Sequence, residues 1–272
     1  MYAAQQFSSQ IDATIATYAI CNSTNETALT KAINQYQPDL IFTIGVEPTL
    51  WAKQYINNTT VLFAMVLDYK SYDLDNYPNF IGISVETPPL TEFIKFKMML
   101  PSLAKVLTFY QQNHPNSSII EAKKQVESLG IEIIPVAISN QDQISLTIDK
   151  YAHEIHGVWF ANDKFIMNTE MFYFLQRLTF KYKLPLFTSL SDKFARAGAL
   201  MSVSIDLHQI GNQAAALARV ILESNKSLKE IGMQPPISTN LVVNQAIANK
   251  LNITIPNEIV PFINEIINPP NH

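Results

Sequence analysis

Residues 38–68 read PDLIFTIGVEPTLWAKQYINNTTVLFAMVLD, and their pattern decides the class of fold. Asp39 to Ile44 is a short apolar run bounded by Pro38 and Gly45. It is too brief for a capped helix and has the continuous hydrophobicity of a buried parallel strand. Gly45 ends the strand, and Val46, Glu47, Pro48 and Thr49 form the turn. Pro48 suits the first turn of a helix, where its missing N–H costs nothing. The helix is predicted from about Thr49 to Tyr55. Asn57, Asn58 and Thr59 end it, and Val61 to Leu67 is a second apolar strand closed by Asp68. In open parallel sheets, ligands bind beyond the carboxyl ends of the strands. Gly45–Thr49 and Asp68–Lys70 are therefore expected to form one wall of a ligand cleft.

Upstream, Met1 to Asp12 reads as a helix, Ala13 to Cys21 as a strand and Glu26 to Tyr36 as a helix capped from the polar turn before it. A doubly wound domain ordinarily opens on a strand. The helical start therefore predicts that a first strand is missing or supplied from elsewhere. Downstream, the chain turns polar from Tyr69 to Pro78, Asn79 to Val85 is a short strand holding Gly82, and Pro88–Pro89 mark a boundary.

A second series follows. Helices are predicted over 90–100, 117–129, 141–153, 165–181 and 210–223, and strands over 105–110, 131–138, 157–160, 184–188, 199–205 and 239–243. Asn116 or Ser117 caps the second of these helices, and Gly130 ends it in a left-handed conformation. Ser189 to Ala197 and Lys226 to Pro236 read as loops. The tail carries a short helix near Gln245–Lys250 and a second from Asn257 to about Ile267. Helices alternating with apolar strands predict parallel βαβ units.

The chain has 272 residues, long enough for a large core in one domain or two smaller ones. Hydrophobic residues make up 47% and charged residues 15%, which excludes disorder as a class. The net charge of −4, with no long basic run, excludes a nucleic-acid footprint. Cys21 is the one cysteine, so neither an internal disulfide nor a multi-cysteine metal site can form, and it reads as a small core residue. No apolar run reaches the ~18 residues that span a bilayer. The opening MYAAQQFSSQ shows no signal peptide.

Several side chains are candidates for chemistry, each with a plainer alternative. Asp68 and Glu47 can accept charged hydrogen bonds from a ligand, or stand as solvated turn residues. Asn116 and Ser117 lie at a helix N-terminus, which holds carboxylates, and are equally ordinary caps. Asp163 follows an apolar strand and reads as ligand contact or cap. Trp51, Tyr69, Tyr110 and Trp159 offer stacking surfaces, with Trp159 placed inside a strand and so assigned to the core. His153 and His156, in HEIH, resemble half of a metal site without a third ligand, and differ from the HExxH zinc motif. There is no G-x-S-x-G elbow, P-loop or G-x-G-x-x-G. No cofactor or metal is implied, and the chain is read as a binding protein, not an enzyme.

The segments PDLIFTIG (38–45), VLFAMVLD (61–68), NFIGIS (79–84), FYQQNHPNS (109–117), SLGIEI (128–133), LPLFTS (184–189), AGALMSVSIDLHQIGNQAAALARVIL (197–222) and LVVNQAIANKLNITIP (241–256) carry a resemblance over most of the chain. In order and spacing the chain resembles the ABC-transporter substrate-binding proteins of the tryptophan/tyrosine-binding type, a branch of the type I periplasmic binding proteins. The resemblance implies two doubly wound α/β lobes with parallel sheets, joined by three crossings. Residues 1–86 with 205–240 form the N-terminal lobe, and 87–204 with 241–272 the C-terminal lobe. It implies that a small organic ligand, amino-acid-like and in some relatives aromatic, is captured in the inter-lobe cleft by hinge closure. An ABC permease and its ATPase act in trans, and the location is periplasmic or at the cell surface.

The resemblance places ligand contacts at Gly45, Val46, Glu47, Thr49, Asp68 and Tyr69 in the N-terminal lobe. It places Tyr110, Asn116, Ser117, Asp163 and Ser189 in the other. Val46 and Glu47 stand where relatives carry a small polar residue before the proline, Tyr69-Lys70 where they carry Pro-Val, and Ile81 where they often carry threonine. The resemblance implies a signal peptide and a first strand ahead of the helix at residue 3; the sequence as it stands is expected to lack both or to have them precede Met1, and loss of a central strand would leave an open sheet edge. Three other readings stay open: a ligand-sensing domain of a regulatory system with this fold, a small-molecule enzyme of doubly wound fold, and a relative that has lost its ligand.

Overall fold

The structure is a computed structural model that describes residues 2–19, 26–114, 117–163, 166 and 168–268. The chain divides into two compact units, Met1–Glu86 with Asp206–Ser238, and Thr87–Ile205 with Thr239–His272.

The first unit opens with α1 (Tyr2–Gln10), α2 (Glu26–Tyr36), β1 (Leu40–Ile44), α3 (Val46–Tyr55), β2 (Thr60–Ala64) and β3 (Phe80–Ile83). Its three strands form a parallel sheet in the order β1-β2-β3. The central strand β2 is buried from Val61 to Ala64, so both faces of the sheet are covered. Val61 and Phe63 point to one face, where Leu29 of α2 and Trp51 and Ala52 of α3 close the core. Gly82 permits this packing on the neighbouring strand, because a Cβ there would sit 2.6 Å from the Phe63 ring.

The second unit continues with α4 (Pro89–Met99), β4 (Lys105–Gln111), α5 (Ser117–Val126), β5 (Glu132–Ile138), α6 (Gln141–Tyr151), β6 (Gly157–Phe160), α7 (Thr169–Lys181), β7 (Leu186–Thr188), α8 (Asp192–Ala197) and β8 (Met201–Ile205). The chain returns to the first unit for α9 (Leu207–Glu223) and α10 (Leu228–Ile231). It then completes the second with β9 (Thr239–Asn244), α11 (Gln245–Leu251) and β10 (Glu265–Ile267).

The second unit's seven strands run in the order β10-β9-β8-β7-β6-β4-β5. All neighbours are parallel except β8 and β9. Period-two alternation assigns side chains to two cores. Val106, Trp159 and Phe187 meet Phe93 and Phe96 of α4 and Ile119 of α5. Leu107, Val158, Phe160 and Leu186 meet Ile148 of α6 and Phe172 and Leu175 of α7 on the other face. This is helix–sheet–helix layering with parallel strands, the doubly wound α/β class expected from the sequence.

Several local expectations are corrected. Residues 13–19, expected as part of a strand, form none and residues 12–19 are exposed; a segment becomes a strand only where a neighbouring ladder receives it. Cys21, Asn116 and Phe165 lie outside the described residues. Helix α3 begins at Val46, so Val46–Thr49 are its first turn and not a preceding loop. Pro48 is tolerated there because the first four helical N–H groups have no intrahelical partner. Strand β2 ends at Ala64, three residues early, because Met65 adopts a left-handed conformation with φ 63°.

The expected loop at Ser189–Ala197 contains α8, capped by the Ser191 side chain. That at Lys226–Pro236 contains α10, whose capping box pairs Ser227 with Glu230. The expected helix over 257–267 is replaced by a 3₁₀ turn at Val260–Phe262 and the strand β10. There Glu265 pairs with Val242, and Asn264 Oδ1 accepts from the Leu241 N–H at 2.8 Å.

In the first unit, α1 lies against α9. Gly211 makes the approach possible: a Cβ at that position would fall 2.4 Å from the Ala3 carbonyl oxygen and 2.7 Å from Gln6 Cβ. Phe7 of α1 also stacks on Phe42 of β1, with ring centroids 4.5 Å apart. Gly211→Ala should therefore push α1 away and cost about 1–3 kcal/mol. Urea unfolding checks this, and an unchanged midpoint would mean that α1 contributes nothing to the unit.

Candidate functional site

The register of the first sheet aligns its carboxyl ends. Ile44 faces Ala64, and Ala64 faces Ile83, so Gly45, Met65 and Ser84 follow side by side. The Gly45 N–H donates to the Ala64 carbonyl at 2.9 Å and carries the ladder one residue past β1. Gly45 then caps α3 at φ 93°, a conformation that glycine adopts without strain.

The expected residues of this edge divide into two groups. Glu47, in the first turn of α3, is exposed. Asp68 is exposed in a left-handed conformation; its carbonyl accepts from the Ser71 N–H and hydroxyl, and its carboxylate makes no cap hydrogen bond. Both carboxylates are presented to solvent at the strand ends. Val46 and Tyr69 are half-buried and pack against the core of the unit, Tyr69 with its ring 6.1 Å from that of Phe63. Thr49 is fully buried. Its hydroxyl donates to the Gly45 carbonyl at 2.7 Å and lies 2.9 Å from the Thr43 hydroxyl. In this arrangement Thr49 shapes the turn at Gly45 and presents no polar atom to solvent.

The second unit has a switch point. From β4 the chain goes through α5 to β5 on one side, then through α6 to β6 on the other. The crevice between such strands is where open α/β sheets bind ligands. Tyr110 lies near the end of β4, Asp163 just beyond β6 and Ser189 just beyond β7, on three neighbouring strands. Threonines fasten these strand ends together. The Thr108 hydroxyl donates to the Trp159 carbonyl at 2.9 Å and the Thr188 hydroxyl to the Phe160 carbonyl at 3.2 Å.

Tyr110 is half-buried against the α4–α5 face of the core. Asp163 is 2% exposed, and one carboxylate oxygen accepts from the Ile166 N–H at 3.2 Å, so it caps the turn after β6. Ser189 is half-buried, and the residues after it, Leu190 and Ser191, line a pocket with Asn168, Thr169, Lys193 and Phe194. Helix α5 follows β4 and begins at Ser117, and a helix N-terminus favours anions.

The remaining sequence candidates serve the fold. Trp159 is buried with its ring edge-on to Phe93, at 5.1 Å, and Trp51 lies in the core of the first unit. His156 Nδ1 accepts from the Lys105 N–H at 3.2 Å, and the His156 N–H donates to the Lys105 carbonyl at 2.8 Å. Among the described residues no three His, Cys, Asp or Glu side chains gather as a metal site. No helix among them is long and apolar enough to cross a membrane. Met65, at the centre of the first unit's edge, was not a sequence candidate, because methionine carries no local signal for a left-handed turn.

The family of ABC transporter substrate binding proteins matches residues 10–266, and the chain belongs to it. A ligand-free, open substrate-binding protein with adhesive properties from Clostridium difficile is similar at 18% identity and a TM-score of 0.72, over 90% of this chain and 83% of that one. An ABC domain in complex with L-Trp from Streptococcus pneumoniae is 18% identical with a TM-score of 0.63, over 98% of this chain and 94% of that one. A conserved domain protein from Vibrio cholerae is 20% identical with a TM-score of 0.60, over 89% and 84% of the two chains. No match was found among curated protein sequences.

Thr49→Val tests the structural role of the hydroxyl. Without it, the Gly45 carbonyl and Thr43 hydroxyl lose a buried partner, at a cost of about 1–3 kcal/mol. The unfolding midpoint should fall accordingly, and an unchanged midpoint would free Thr49 for another role.

Proposed function

We propose that this chain is the ligand-capturing component of an ABC transporter, that its ligand is a free amino acid or a close analogue, and that it performs no chemistry on it. The observation that carries the amino-acid reading is the pair of exposed carboxylates, Glu47 and Asp68, at the carboxyl edge of the first unit. They suit an ammonium group, for which charged hydrogen bonds are the strong ones. The start of α5, the helix that follows Tyr110 and β4, suits a carboxylate, which helix N-terminal N–H groups and the helix dipole favour. Tyr110, Asp163 and Ser189, with Asn116 and Ser117 in the same region of sequence, complete the set expected to hold the second unit's side of the ligand.

Closure of the two units over the ligand is part of this proposal. Closure requires differential affinity for the closed state, which contacts from both units supply. The partners are a membrane permease and its ATPase, and the binding step takes place outside the cytoplasm. The L-Trp complex of the pneumococcal relative supports testing aromatic amino acids first.

A thermal-shift screen of the purified chain against the proteinogenic amino acids is the direct test. A ligand at about 100 times its Kd stabilises the folded state by ~2.7 kcal/mol, so a true ligand should raise the Tm by several degrees. A folded protein with no shift across the panel overturns the amino-acid reading. With the best ligand from that screen, Asp68→Ala should weaken binding by about 1–3 kcal/mol in calorimetric titration. Unchanged affinity removes Asp68 from the site.

A further inference from the structure

Met65 stands out in the first unit because its conformation has no local cause. Three non-glycine residues of the segment after β2 are left-handed: Met65 at φ 63°, Asp68 at 49° and Asp73 at 55°. Aspartate tolerates this region because its short polar side chain bonds locally. Methionine has no such compensation, and glycine would adopt the same backbone without strain.

Its neighbours Ala64 and Val66 are buried and Met65 is half-buried, so part of its side chain reaches solvent at this edge. The register sets it between Gly45 and Ser84, at the centre of the three carboxyl ends. Strained backbone persists where the surrounding structure over-determines it, and it clusters at ligand sites. An unbranched, polarisable thioether at the middle of a binding edge suits contact with an aromatic ring or a long aliphatic chain.

We propose that Met65 is a specificity-determining residue whose thioether forms the apolar surface against which the side chain of the bound amino acid packs. This rests on the amino-acid-binding reading above. It adds that Met65 discriminates among candidate ligands by the apolar bulk of their side chains.

The test compares wild type, Met65→Gly and Met65→Leu in calorimetric titrations with L-tryptophan, L-tyrosine, L-leucine and L-alanine, alongside thermal unfolding without ligand. Met65→Gly should raise the Tm of the free protein by relieving the left-handed strain. It should also weaken binding of the larger ligands by about threefold to tenfold, the scale of a lost thioether contact, and so shrink their preference over L-alanine. Met65→Leu keeps the apolar bulk and should hold affinity within about twofold of wild type. If Met65→Gly binds like wild type, or lowers the Tm, the residue is an ordinary packing group and the inference is overturned while amino-acid binding stands. If wild type binds none of the four ligands, the underlying reading fails, and the inference with it.

Discussion

The hydrogen bond from the Gly45 N–H to the Ala64 carbonyl, 2.9 Å long, aligns the ends of two neighbouring strands. The proposed site in the first unit depends on that alignment. One residue of slippage in a parallel ladder would exchange the two faces of the strand and bury the wrong side chains. The register is held because Val61 and Phe63 must meet α2 and α3 on one face. Gly82 must also lie where the Phe63 ring leaves no room for a Cβ. Core packing thereby brings Gly45, Met65 and Ser84 together at one edge.

The second unit reaches the same kind of edge by a different route. Its two cores alternate residue by residue along β4 and β6, so neither strand can shift without exposing one face. The strand order switches direction between β4, which holds Tyr110, and β6, which Asp163 follows. Buried threonines at positions 108 and 188 then fasten the strands on either side of β6 to its carbonyls. The helix N-terminus after β4 supplies oriented N–H groups without any special side chain. A second polar cluster steadies the antiparallel pair β8–β9, where the Asp192 carboxylate accepts from Ser204 at 2.6 Å, Ser202 at 3.3 Å and the Asn240 amide.

Much of the fold was legible in sequence. The runs expected as strands at 39–44, 61–67 and 79–85 hold β1, β2 and β3, the second ending three residues early, and the helices predicted around positions 90–100, 141–153 and 210–223 are present with small shifts at their ends. The misses share a cause. Residues 13–19 have strand composition but no ladder among the described pairings, while 265–267 became a strand because β9 offers one. Strand formation follows from partners distant in sequence, so composition alone decides it poorly. Short helices such as α8 and α10 were hidden because a single turn held by one capping serine has little periodicity to detect.

The sequence by itself determined the alternation of helices with buried strands, the break at Gly45, and the absence of familiar catalytic motifs, because these depend on local pattern and residue chemistry. Only the tertiary structure decided which candidates face solvent. It turned Thr49 inward to the Gly45 carbonyl, used Asp163 to cap a turn, left Glu47 and Asp68 exposed, and held Met65 in a left-handed conformation between two strand ends. The physical reason is that exposure and backbone strain are set by neighbours far away in the chain, and a residue's own type does not encode them.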